Sequence, residues 1–419
     1  MKNKLTRTLS IFGLLATSLV SLGSCGNKGS YDYTYFYGLC ETSGDLNDGV
    51  DYAITNDWIG DRVNALGCKS MRLWVSINAL FTVTEDNDLK LNNHYYTILK
   101  DHVDKLYRDG KGVTNFLAMY TTFLFPYGYA PTTLYCVPDP TNEHEEYEIF
   151  LNLMEKGSQM FAELFPMIKY YEPGNEPDLK ESSCIHKNGY GYGLTERENA
   201  AFLYTDDEKA NIVCDICYYT RRGIKKASEE NKCSMISLCL LDRSPHFLEL
   251  IYQGIESQTL PYGTEKSDTD PDNYFDILNW HPYPGVTTGN PDPNKGDWVG
   301  YQKEIYQVAI DHGDGDKPVY YSELGWTDNG VNTTKADNSK YLIDALKLIK
   351  ENLPFVEAVF VFRLTNLVHQ NVSVGENNFG LFHNPDDPDK NLAGQPKQIA
   401  IDYAKFINGD DYIIPPYEK

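Results

Sequence analysis

The stretch IKYYEPGNEP, residues 168–177, decides how this chain is read. Ile168, Tyr170 and Tyr171 make a short apolar and aromatic run, the pattern of a parallel strand covered on both faces. Pro173-Gly174 then turns the chain, and Asn175-Glu176-Pro177 follows at once. Glu172, Glu176 and Asp178 crowd this one segment, and like charges so close repel unless partners or water intervene. Such crowding marks either a wet loop or a site, and the rest of the chain has to decide.

Seven further runs have the same character: 33–40, 70–77, 113–122, 234–241, 275–283, 318–326 and 357–365. Between them lie helical-period segments such as YYTILKDHVDKLYRDG (95–110), EEYEIFLNLMEKGSQMFAELF (145–165) and SKYLIDALKLIKENL (339–353). Eight strand–helix units predict an α/β chain folded as one (β/α)8 TIM barrel. A doubly wound sheet shares the alternation, but no GxGxxG follows the first strand run. Segments leading into strands are short (LGCK, DGKG, NKC, DGDK). Segments leaving them are long and rich in Tyr, Pro, Gly and Asn, notably 123–145, 177–205, 284–299 and 366–380. Chain length is therefore concentrated at the C-terminal face of the strands, where this fold places its sites.

The amino terminus has a different logic. Lys2, Lys4 and Arg7 precede a short apolar stretch, Leu9 to Leu22, and the sequence continues Gly23-Ser24-Cys25. This is the pattern of a secretory signal ending in a lipobox, with residues 1–24 removed and Cys25 lipidated. Residues 25–31 then read as a tether and 32–419 as the barrel domain. The expectation is an exported protein held to the bacterial cell membrane or outer membrane by a lipid on Cys25, facing outward or into the periplasm. A net charge of −23 argues against nucleic acid and against an anionic membrane surface as partners. The eight cysteines beyond Cys25 form no dense framework. Cys214 and Cys217 stand as a lone CxxC on a helical segment, read as buried thiols rather than a metal or redox site. The acidic segments 270–276 and 383–391 lack the Gly and terminal Glu of a calcium loop and read as turns. No metal and no cofactor is expected.

Two carboxylates end strand runs, Glu176 after the fourth and Glu323 in PVYYSELGW (318–326), the seventh. Across a closed barrel mouth, a separation of about 5–5.5 Å would suit retaining glycoside hydrolysis and about 6.5–9.5 Å the inverting kind. Asn175-Glu176-Pro177, His281-Pro282-Tyr283 after the sixth run and Ser322-Glu323 in the seventh, in that order, resemble the clan A retaining glycoside hydrolases. The wording is closest to families 5 and 39, and the resemblance extends to Arg72 and to the late run Asn378-Phe379-Gly380-Leu381-Phe382.

The resemblance implies a β-glycan as substrate and partner, with Glu176 as acid/base, held protonated by burial and its neighbour's charge, and Glu323 as nucleophile. It further implies that Asn175 bonds the sugar 2-hydroxyl, that Tyr283 donates to Glu323, that Arg72 adds positive charge and that His281 binds substrate or braces the site. Glu172 is read as a structural carboxylate. Of the aromatic platforms, Trp326 is favoured over Trp74 and Trp298, since sugar rings stack on exposed indoles. One departure concerns the eighth strand, where the clan carries Trp and this chain has Phe362 and Arg363. Both are candidates to line the sugar subsite, Arg363 by meeting an acidic sugar. The expected activity is an endo-acting, monomeric O-glycosyl hydrolase. A non-catalytic carbohydrate-binding lipoprotein and a transglycosylase using the same carboxylates are the alternatives.

Overall fold

The apolar runs condense into eight parallel strands: β1 (Tyr37–Cys40), β2 (Ser70–Val75), β3 (Asn115–Tyr120), β4 (Tyr170–Glu172), β5 (Lys232–Cys233), β6 (Leu278–Asn279), β7 (Val319–Leu324) and β8 (Val356–Val361). The computed structural model describes residues 36–40, 52–120, 134–179, 184–187, 196–240, 245–257, 269–328, 335–366, 378–385, 387 and 389–417. The signal segment, Cys25 and its tether lie outside them, as do the loop stretches 123–133, 188–195 and 367–377.

The strands hydrogen-bond in the order β6-β7-β8-β1-β2-β3-β4-β5. Isolated parallel bridges pair Ser234 with Ile277 and Leu238 with Trp280, joining the two ends of that row and closing the (β/α)8 barrel. The run 234–241 is thus less regular than its apolar composition predicts. After Cys233 its residues alternate partners, Ser237 bridging back to Asn175 while Ser234 and Leu238 bridge forward. Helices α1 (Tyr52–Leu66), α2 (Asn93–Tyr107), α3 (His144–Leu164), α4 (Asp206–Ala227), α5 (His246–Glu256), α6 (Trp298–Asp311), α7 (Lys335–Asn352) and α8 (Gln398–Asn408) follow the strands in turn. Local chemistry sets their ends. Thr205 and Glu208 form a reciprocal capping box at the start of α4, three acids occupy its first turn, and Lys225 and Lys226 its last.

Two apolar cores result. The larger lies between sheet and helices and includes Leu73, Tyr171, Cys214, Cys217 and Tyr321. The smaller fills the barrel interior with Cys40, Leu117, Ile277, Tyr320, Ala358 and Phe360, with Tyr170 and Phe362 packed against it. The inner residues recur at every second position along their strands, as the pleat requires. Among the described residues, seven cysteines, Cys214 and Cys217 included, are buried free thiols. Among the described residues no helix is long and apolar enough to cross a membrane.

Candidate active site

The inward-facing positions of β2 and β4 bring Arg72 and Glu172 together inside the barrel. Arg72 Nε and Nη2 donate to Glu172 Oε2 and Oε1, each at 2.8 Å, a bidentate pair at 3% and 0% side-chain exposure. The same guanidinium reaches Glu323 Oε1 through Nη1 at 2.6 Å and Asn175 Oδ1 through Nη2 at 2.7 Å. One cation therefore holds two carboxylates and the side chain before Glu176.

Glu176 is aimed by the turn that the sequence announces. Gly174 has φ +141°, and a Cβ there would lie 3.2 Å from Ile236, so glycine suits this position. Asn175 bridges to Ser237, and the Glu176 amide donates to the Ser237 carbonyl at 2.8 Å, with Glu176 itself at φ 49°. The Asp178 carboxylate accepts the amides of Cys239 and Leu240, both at 2.8 Å, tying this turn to the end of the neighbouring run. Asp178, the third acid of the opening stretch, is thus a clamp, pushed by burial up to about 6.

Glu323 is delivered by an irregularity. The pairing of β7 with β8 slips between Tyr321 and Leu324. By strict alternation with Tyr320 the inward residue would be Ser322; with the slip, Ser322 and Glu323 both reach inner partners. Tyr283 donates its hydroxyl to Glu323 Oε2 at 3.0 Å. His281, fully buried, contacts Glu176 Oε1 through Nδ1 at 2.7 Å and Ser322 Oγ through Nε2 at 3.0 Å. Ser322 Oγ stands 3.5 Å from Glu172 Oε1. Carboxylate oxygens of Glu176 and Glu323 and the His281 ring nitrogen all lie within 4.8 Å of one another.

The electrostatics follow from this packing. Burial and the Glu323 charge hold the Tyr283 phenol well above its ordinary range, so it remains a donor. Burial pushes the Glu176 carboxyl up, as the sequence reading expects, but the hydrogen bond from His281 and the charge of that ring outweigh it, and the carboxyl sits below its ordinary value. For His281, burial works downward, while Glu323 and the Glu176 contact raise the ring above its usual value. The proton expected on Glu176 alone thus belongs to a contact between two residues.

Of the residues singled out from sequence, Arg72, Asn175, Glu176, His281, Tyr283 and Glu323 converge here, and Glu172 joins them as the bidentate partner of Arg72. The aromatic expectations fare differently. Trp326 is 4% exposed and donates its indole N–H to the Pro291 carbonyl at 2.8 Å, so it anchors the loop after β6 instead of presenting an open ring. Trp298 does the same to Pro282. Trp74 is the indole that lines the pocket beside Glu323, with Cys40, Arg72, Met119 and Phe362. Phe362 thus occupies the wall where the clan's Trp was expected, edge-on to Phe379 at 5.3 Å. Arg363, joined to Phe362 by a cis peptide bond, is 9% exposed; its Nε donates to the Thr365 carbonyl and its guanidinium lies 5.2 Å from the Phe362 ring centroid. An acidic sugar would have to draw it out of those contacts.

Sequence reasoning gave no role to Ser322, to the Cys239 thiol that hydrogen-bonds Glu176, or to Cys40, whose thiol donates to the Ser322 carbonyl at 2.9 Å. Their one legible signal was position, at the ends of strand runs. Among the described residues, Glu176, His281 and Glu323 are also the group whose ligand atoms cluster as a metal would require. Arg72 and Tyr283 already occupy Glu323, and both ring nitrogens of His281 are engaged, so a cation would have to displace those partners. The donor set fits proton transfer between carboxylates better than coordination.

No protein-family model and no curated protein matches the chain. Solved structures do. A GH5_18 protein from Bifidobacterium longum subsp. longum superposes with TM-score 0.56 at 14% identity, over 92% of this chain and 82% of that one. A glutamate-to-alanine variant of GH5_18 from the same strain, in complex with Manβ1-4GlcNAc, gives 0.55 at 12%, over 92% and 80%. A family 39 glycoside hydrolase from Bacteroides cellulosilyticus gives 0.53 at 12%, over 90% of this chain but only 64% of that protein, so the chain spans a little under two thirds of its length. What these likenesses establish is the (β/α)8 fold, which this chain shares with glycoside hydrolases of families 5 and 39.

Proposed function

We propose that the chain is a retaining glycoside hydrolase that cleaves a β-linked glycan by double displacement. The observation that carries this reading is the approach of Glu176 and Glu323 to within 4.8 Å. Measured oxygen to oxygen, that spacing is short of the wider gap that an inverting pair keeps for its attacking water, and it suits a nucleophile facing an acid/base. Glu323, held by Arg72 and Tyr283, attacks the anomeric carbon. The bond to the leaving oxygen breaks as that oxygen takes a proton from Glu176. Water then attacks the glycosyl–Glu323 ester, gives its proton to Glu176, and releases the sugar with its configuration retained. Asn175, oriented by Arg72, is placed beside Glu176 to meet the 2-hydroxyl, and Trp74 and Phe362 offer apolar faces to the ring.

Endo action is part of the proposal, supported by the length of the segments that follow the strands. So are export and anchoring through Cys25, which rest on the basic flank, apolar stretch and Leu22-Gly23-Ser24-Cys25. The deciding experiment incubates the purified barrel with β-glucans, xylans, mannans, galactans and the disaccharide Man-β1,4-GlcNAc, following product size and anomeric configuration by NMR. Retained β-anomers with falling chain length are expected. Initial α-anomers, or no product from any glycan, would refute the mechanism.

A further inference from the structure

The buried charges of the site do not balance on fixed groups. Arg72 is one cation against two carboxylates, Glu172 and Glu323, so no fixed cation is left over for Glu176. A carboxylate that is only 17% exposed is costly to leave without a partner, and the 2.7 Å contact of Glu176 with His281 is where a proton can sit. The far side of the ring is also fixed. Ser322 Oγ is 3.0 Å from His281 Nε2 and 3.5 Å from Glu172 Oε1. Glu172 is already paired bidentately with Arg72, so it accepts and does not donate. A hydroxyl that gives its hydrogen to Glu172 has only lone pairs left for Nε2 and calls for a proton there.

We propose that Glu176 and His281 act as one acid–base unit sharing a single transferable proton, and that Ser322, oriented by Glu172, is the positioning residue that keeps this unit loaded. The inference rests on the glycosidase reading only for what the proton is used on. With Nε2 protonated, the remaining proton lies between Nδ1 and Oε1, as Glu176-COOH facing imidazole or as carboxylate facing imidazolium. Once it has passed to the glycosidic oxygen, the ring has one proton left. Keeping it on Nε2 sets an Nδ1 lone pair against the Glu176 carboxylate, whereas moving it to Nδ1 takes it from Ser322. Both arrangements cost, so the emptied pair draws a proton from the attacking water. The other groups facing the pair are Arg72 from β2, Glu172 from β4, Asp178 and Cys239 from the turns after β4 and β5, Tyr283 after β6 and Glu323 from β7. Ser322→Ala leaves every one of these in place.

The test reads the ring directly. In 15N-histidine NMR of the full chain, with His281→Gln assigning the resonance, Nε2 should carry a proton throughout the loaded state. The pH at which the pair loses its proton should fall by about one unit in Ser322→Ala and recover in Ser322→Thr. The alkaline limb of kcat/KM on an aryl glycoside should move with it, which a merely structural role would not cause. Identical His281 titration in wild type and Ser322→Ala overturns the proposal. So does a wild-type ring with no proton on Nε2 below its transition, a result that needs no variant to fold. A wild type that titrates as proposed yet hydrolyses no glycoside supports the acid–base unit and defeats the glycosidase reading.

Discussion

The two ends of the barrel interior are both polar, and they differ in kind. Toward the entry of the strands, Asn115 donates to Ser70 Oγ at 3.0 Å and Asn279 to Ser234 Oγ at 3.0 Å, buried neutral pairs that bind neighbouring staves. Toward the exit, three carboxylates, one guanidinium and one imidazole share the space. Neutral pairs call for no proton from outside, even though Asn279 Oδ1 is left without a hydrogen-bond partner. The charged end needs a proton from outside its fixed groups, and that deficit separates a site from a buried polar patch.

The sharpest way to break this contrast is to change Glu323. Glu323→Gln should lower turnover by at least about ten-thousandfold. Glu176→Ala should cost about 10²–10⁴-fold and least on substrates with good leaving groups, which need no proton. Steady-state rates on an aryl glycoside and on the natural glycan check both, and unchanged rates would reduce the exit to another polar patch.

A smaller effect, on stability, should follow from removing the one cation. Arg72→Met strands Glu172 at 0% exposure and should cost about 3–5 kcal/mol in urea unfolding, partly recovered by Glu172→Gln in the same chain. The corresponding change at the entry, Asn115→Ala, deletes a neutral contact and should cost about 1–3 kcal/mol. Equal costs would erase the distinction.

A further effect, this one dependent on pH, lies outside the barrel interior. Asp215, on α4, is 2% exposed; burial raises its carboxyl to about 7 against the hydrogen bond that Tyr147 donates at 2.9 Å. A folded-state value above the unfolded one favours the protonated form. Its contribution is therefore complete below the unfolded value near 3.8 and lost as pH rises to about 7. Asp215→Asn should gain stability over the wild type as pH climbs through that window and show no gain below it, read as melting temperature against pH. A gain independent of pH would mean that Asp215 is ionised in the fold.

Much of this was legible in the sequence, for physical reasons. Strands covered on both faces must be apolar, so all eight runs stood out, and the turn at Pro173-Gly174 announced Glu176. What escaped was what alternation cannot encode. The slip between Tyr321 and Leu324 puts Ser322 and Glu323 to use on one side, and no residue type in SELGW signals it. The stacking role given to Trp326 failed for a related reason. Trp is as suited to pinning a loop through its N–H as to holding a sugar, and only the carbonyl of Pro291 tells which. Asp178 looked like one more loop acid until the two amides it accepts were in view.

The seam where β5 meets β6 has a mechanical consequence. Glu176 hangs by its amide from the Ser237 carbonyl, and His281 hangs by its own from Leu238, the next residue along. Glu176 belongs to the β4–β5 side of the join and His281 to the β6 side, so the 2.7 Å contact between proton donor and proton partner spans the join itself. Because β6 is paired along β7 and His281 also bonds Ser322 there, an opening of this join would leave His281 with the strand of Glu323 and part the acid from its proton partner.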